Sequence, residues 1–177
     1  MSAQAPAALP GPPGLRHLPQ ALDAAGRSAL LAALRGVVAA APLMRPTAPW
    51  GKPLSVRMTN AGRLGWVTDP SGYRYQETHP DTGRPWPEIP PELSALWRAH
   101  AGAGAARPDC CLINHYPPGA RLGLHRDDTE AEHGHPVLSV SLGDAATFRV
   151  GGLARRDPTR SVTLEPGDLF LLAGPGR

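Results

Sequence analysis

The sequence predicts a mostly β fold with a smaller α-helical part towards its N-terminus (α+β), and three observations carry that expectation. Beyond Asp109 the chain breaks into short runs, CCLINHY, ARLGLH, PVLSVSL, TFRVGG, SVTLE and DLFLLA, separated by Gly, Pro and Asp. Regular spacing of such strands argues for a sandwich or barrel, with jelly rolls as one solution. Helical spacing of apolar residues is confined to two earlier stretches. Twenty glycines and 22 prolines, against 5% aromatic residues, describe a chain rich in turns. A length of 177 residues suits one domain overall, large enough to bury a core without disulfides.

Residues 1–20 carry Pro6, Pro10, Pro12, Pro13 and Pro19 with Gly11 and Gly14, which interrupts regular hydrogen bonding and predicts a disordered tail. Residues 21–108 form an N-terminal helical and recognition part. Within it Ser28 can cap a helix in which Leu30, Leu31, Leu34, Val37 and Val38 share a face, ended by Pro42. LSVRMT alternates apolar and polar residues, as a half-buried strand does. A second helix is predicted from Pro91 through ELSALWRAHA to the glycines at 102 and 104. Residues 109–177 hold the strand-rich core. No internal repeat and no coiled-coil heptad is present.

Lys52 is the only lysine among 18 basic residues. Codon bias towards Ala, Arg, Gly and Pro explains this more simply than selection for arginine chemistry. The net charge of +3 is compatible with a polyanionic partner without demanding one. Cys110 and Cys111 are neighbours in an apolar run, so buried reduced thiols in a reducing compartment are expected rather than a bridge. No signal-peptide pattern and no run of 18 apolar residues occurs, which predicts a cytoplasmic protein with no membrane partner.

The segment richest in chemistry ends in His125-Arg126-Asp127. On a β-strand or its end, residues i and i+2 point to the same side, so an imidazole and a carboxylate can reach one metal ion. Such a mixed nitrogen and oxygen set suits Fe(II) in a 2-His-1-carboxylate site, and Zn or Mn can accept it too. From spacing alone a solvated surface turn is the stronger explanation, and the surroundings reverse that order. NHYPPGARLGLHRDD, PVLSVSLG, FRVGGLARRDP and LEPGDLFLLAG, preceded by MTNAGRLGW, GYRY and RPWPEIP, together resemble the AlkB family of Fe(II) and 2-oxoglutarate-dependent nucleic-acid dealkylases. The likeness runs from about Leu54 to Gly174.

That resemblance implies a double-stranded β-helix, and an activity that oxidises alkyl groups on DNA or RNA bases, with Fe(II) as metal and 2-oxoglutarate as cosubstrate. It implies His125 and Asp127 as metal ligands, with no catalytic residue beyond them. Asn114 and Tyr116 stand where the family binds 2-oxoglutarate, and an amide and a phenol on one strand face can donate to carboxylate oxygens. His115, on the opposite face, is not expected to be a ligand. Trp66 and Tyr73 correspond to the aromatic lining of the base pocket, with Tyr75 beside them on the expected substrate side, Arg155 to a substrate-contacting arginine, and Thr129 to a place where bacterial members often carry a carboxylate that reads the base. His133 and His135 are expected in a solvent-exposed loop.

The family's second metal-binding histidine and its 2-oxoglutarate arginines lie beyond the stretch matching Gly167–Arg177, so the strands closing the roll are expected to be missing, leaving an unpaired edge. The expected partner is alkylated DNA or RNA, bound by a monomer. Two other readings stay open: a catalytically inactive relative that only binds nucleic acid, and a dioxygenase of other substrates.

Overall fold

The computed structural model describes residues 14–127, 134–152, 154 and 156–176. They fold into a mostly β arrangement with two α-helices, in the order β1 (Leu15–Leu18), α1 (Ala24–Ala40), β2 (Arg57–Gly62), β3 (Gly65–Asp69), β4 (Gly72–Gln76), α2 (Pro91–His100), β5 (Cys110–His115), β6 (Val137–Val140), β7 (Ala146–Val150), β8 (Arg160–Leu164) and β9 (Leu169–Leu172). Two compact units result. One comprises Met1–Ala29, Ala99–Ala105 and Leu124–Arg177, the other Leu30–Arg98 and Ala106–Gly123.

In the first unit β9 lies between β1 and β6, antiparallel to both. Consecutive Leu169, Phe170 and Leu171 are all buried, as a strand covered on both faces requires. Leu15, Leu164 and Phe170 form the core, with Phe148, Val150, Val162 and Leu172 packed against them. The β7–β8 hairpin supplies Phe148, whose ring lies 4.8 Å from that of Phe170. Buried Asp168 ties β1 to the turn before β9. It accepts the backbone N–H groups of Gln20 at 2.9 Å and Glu165 at 3.0 Å, and its Oδ2 lies 2.7 Å from His17 Nε2. Burial opposes its charge, yet these donors outweigh burial and hold its carboxyl below the usual range.

In the second unit β2 and β5 pair antiparallel from Arg57↔His115 to Gly62↔Cys110. β3 and β4 form a separate hairpin. Its turn, Asp69-Pro70-Ser71-Gly72, has the residues a type I turn favours: an Asp that accepts the Ser71 N–H at 2.8 Å, Pro next, and Gly at the end with φ of 118°. Ala41, Val67 and Trp86 form this unit's core with Met44 against it. His79 is buried beneath, donating Nε2–H to the Pro42 carbonyl at 2.8 Å and accepting the Asp81 N–H at Nδ1 at 3.1 Å.

Several expectations need correction. Leu15–Leu18, assigned to the N-terminal tail, is strand β1, because the apolar Leu15 docks on Phe170 once the proline run has ended at Pro13. Helix α1 starts four residues before Ser28; Asp23 caps it, its Oδ1 accepting the Gly26 N–H at 2.7 Å. The strand expected in LSVRMT begins later, at Arg57. ARLGLH forms no strand. Gly123 within it, and Pro117-Pro118-Gly119 before it, leave it without a ladder; its Arg121 backbone is held through the Ser55 hydroxyl, at 2.8 and 3.0 Å. Leu31, placed on the packed face of α1, is exposed. No described helix is long and apolar enough to cross a membrane.

Candidate active site

His125 and Asp127 lie in an irregular segment of the first unit, not on a strand as expected. Their side chains nevertheless converge: His125 Nε2 stands 3.6 Å from Asp127 Oδ1. Two donors each about 2.1 Å from one ion, at roughly a right angle, are about 3 Å apart, so this pair fits a shared metal with little adjustment. Both side chains are open to solvent, 58% and 37% exposed, which suits an accessible metal position more than a buried structural one. Among the described residues no third His, Cys, Asp or Glu completes a cluster with them. His135 lies just before β6 and is half-buried.

The second unit carries the remaining candidates on two faces that its register defines. Directly opposed residues of an antiparallel pair share a face. Asn114 opposes Met58, so it lies on the face that also holds Asn60 and Leu112; Tyr116 follows just past the end of β5. Asn114 and Tyr116 are both exposed, and the buried side of the Tyr116 ring pushes its phenol above the usual value. An exposed amide and a protonated phenol two residues apart can each donate to an anionic ligand. His115 opposes Arg57 on the other face, as expected. Cys111 is also on that other face, and burial pushes its thiol up to about 12, which keeps it inert.

On the β3–β4 hairpin Trp66 opposes Tyr75, and Tyr73 opposes Thr68, so all three aromatic candidates share one face. Trp66 and Tyr73 stack with centroids 5.5 Å apart and planes 24° from parallel. Trp66 also lines a cleft of about 200 Å³ with Met44, Met58, Thr68, Asp69 and Arg74. Asp69 is held at about 2 by its hydrogen bonds from Ser71 and then by Arg74, whose guanidinium lies 2.7 Å away. It therefore stays ionised, with its charge balanced by Arg74.

The structure thus brings His125 to Asp127 and Trp66 to Tyr73 and Tyr75, and leaves Asn114 and Tyr116 both exposed at the end of β5. Thr129 and His133 lie outside the described residues, as does Arg155. Sequence reasoning missed Met58, Asp69 and Arg74 as cleft residues, and also Asn60. A buried Asn inside a strand is a signal in itself, since strands are depleted of that residue.

The pattern of the 2OG-Fe(II) oxygenase superfamily matches residues 14–177. An alpha-ketoglutarate-dependent dioxygenase AlkB homolog of Caulobacter vibrioides is 49% identical over 93% of this chain and 74% of its own length. Alpha-ketoglutarate-dependent dioxygenase AlkB of Escherichia coli is 42% identical over 84% of this chain and 70% of its own. The solved structure of OsALKBH1 superposes with a TM-score of 0.77 at 27% identity, covering 93% of this chain and 82% of that one.

Proposed function

We propose, from the premise that the chain belongs to the AlkB family of the 2OG-Fe(II) oxygenase superfamily, that it removes alkyl groups oxidatively from damaged bases of DNA or RNA. As a 2-oxoglutarate-dependent dioxygenase it uses Fe(II) and 2-oxoglutarate. The observation that carries the substrate class is the stacked Trp66–Tyr73 pair beside a cleft on an otherwise small hairpin. The fold we assign is a double-stranded β-helix, working as a monomer in the cytoplasm.

His125 and Asp127 would hold the metal. Bound there, Fe(II) with 2-oxoglutarate and dioxygen would supply the oxidising chemistry for the carbon attached to a base nitrogen, which would leave as an aldehyde. Asn114 and Tyr116 orient the cosubstrate by donating hydrogen bonds to its carboxylate oxygens. The pairing of Asn114 with Met58 supports this, because Met58 lines the cleft that Trp66 also lines. A base must leave its stack to be oxidised, and an aromatic slab replaces the stacking it loses, worth about 1–3 kcal/mol per base. Alkylation at a ring nitrogen can leave the base cationic, which strengthens its attraction to the Trp66 face. Thr129 and Arg155 remain the proposed contacts to the base edge and the phosphate backbone.

The test uses the full-length protein encoded by the gene and a single-stranded oligonucleotide with one N-methylated base. Aldehyde release that requires Fe(II) and 2-oxoglutarate is expected, with Trp66→Ala raising the oligonucleotide KM roughly 5- to 100-fold. Binding without any aldehyde release would favour a protein that only binds nucleic acid. Release that oligonucleotides neither stimulate nor inhibit would favour another substrate class.

A further inference from the structure

The β2–β5 and β3–β4 pairs are separate sheets with no ladder between them. The Asn60 side chain bridges the gap. Asn60, fully buried on β2, donates Nδ2–H to the Trp66 carbonyl at 3.0 Å and accepts the Trp66 N–H at Oδ1 at 3.1 Å. In an antiparallel ladder a residue turns both its N–H and its C=O to the same side. Trp66 turns both towards Asn60, leaving β4 on its other edge. The carboxamide therefore stands in for the neighbouring strand that β3 lacks there. Only Asn or Gln carries a donor and an acceptor in the planar spacing of a peptide, and Asn is the shorter of the two. Cys110 Sγ, on the strand facing β2, contacts the same Oδ1 at 3.5 Å and restrains the amide further.

We infer that Asn60 is a positioning residue for the substrate slot: by clamping the Trp66 backbone at both polar groups, it fixes where the Trp66 indole stands to receive a base. This rests on the reading that Trp66 contacts the base. The clamp acts on the one residue of the hairpin whose side chain both stacks on Tyr73 and lines the cleft. A small rotation of the Trp66 peptide would carry the indole with it, because the side chain has two torsions to its ring and the stack with Tyr73 leaves them little freedom.

A double-mutant cycle on affinity separates positioning from general support of the fold. Equilibrium binding of the N-methylated oligonucleotide is measured for the full-length wild-type protein, Asn60→Ala, Trp66→Ala and the double variant, with thermal melts to establish folding. Asn60→Asp, which keeps the acceptor but sets a carboxylate against the Trp66 carbonyl, replaces Asn60→Ala if the latter does not fold. The expected result is that Asn60→Ala raises Kd roughly fivefold or more, and that the same change raises it less than about twofold once Trp66 is alanine. Equal losses in both backgrounds, or a Kd unchanged by Asn60→Ala, would overturn the inference while a weakened Trp66→Ala variant leaves the substrate reading intact. A Trp66→Ala variant that binds like wild type sinks both. Failure of both Asn60 variants to fold would assign the residue to the core and overturn its role in the slot.

Discussion

Replacing Gly65 by alanine tests how the aromatic hairpin is seated. A Cβ at Gly65 would lie 2.3 Å from Trp86 Cε2, 2.5 Å from Nε1 and 2.6 Å from Cζ2. Comfortable carbon contacts are about 3.5–4.0 Å, so the ring or the strand must move by at least about 1.2 Å. Trp86 has nowhere easy to go. It is 6% exposed, its Nε1–H donates to the Gln76 carbonyl at 2.9 Å, and its ring lies 5.1 Å from that of His79. Overpacking of this kind costs about 1–3 kcal/mol, and losing the indole hydrogen bond adds about 1 kcal/mol. Gly65 is not in the left-handed region, so alanine recovers about 0.4–1 kcal/mol through the unfolded chain. The net loss is about 1–3.5 kcal/mol, or roughly 2–14 °C in Tm for a chain of this size. Thermal melting followed by circular dichroism reads it, and Gly65→Ala in a Trp86→Leu background should cost much less. A Gly65→Ala protein that melts at or above wild type would refute this packing account.

Asp168→Ala should cost about 3 kcal/mol near neutral pH, since it strips the carboxylate from the Gln20 and Glu165 N–H groups. Because the folded carboxyl is held below its ordinary value, its stabilisation is fully present above about pH 5 and is lost as pH falls through the folded value. Denaturant midpoints from pH 7 to pH 3 should therefore fall more steeply for wild type than for the variant, and parallel curves would contradict the assignment. Asp23→Ala removes the cap of α1 and should lower stability by about 1 kcal/mol, whereas Ser28→Ala should leave it nearly unchanged. Comparable losses at both positions would contradict the cap assignment.

Much of the strand pattern beyond Asp109 was legible because those runs are bounded by turn residues and their apolar residues have one place to go. The exceptions have physical causes. ARLGLH alternates like a strand but finds no ladder partner, and strand formation depends on pairing as well as local preference. Leu15–Leu18 sits between prolines, yet one leucine docking on Phe170 and pairing with β9 outweigh that context. The β3–β4 hairpin has the turn signal Asp-Pro-Ser-Gly, which was there to be used. At the site, the i, i+2 spacing of His125 and Asp127 is plain in the sequence, but the strand expected to align them does not form, and β5 ends at His115, one residue before Tyr116. The Asn60 bond to Trp66 and the Asp69–Arg74 pair are not plain there, because they depend on where two separate strand pairs come to lie or on how a turn folds back.

The most direct test of the account is an anaerobic Fe(II) titration of the full-length protein in the presence of 2-oxoglutarate, run beside His125→Ala and Asp127→Ala. One equivalent bound by wild type, with occupancy in each variant cut at least about tenfold at the same free iron, is the predicted result. Undiminished binding in either variant would contradict the claim that this imidazole and this carboxylate hold the metal.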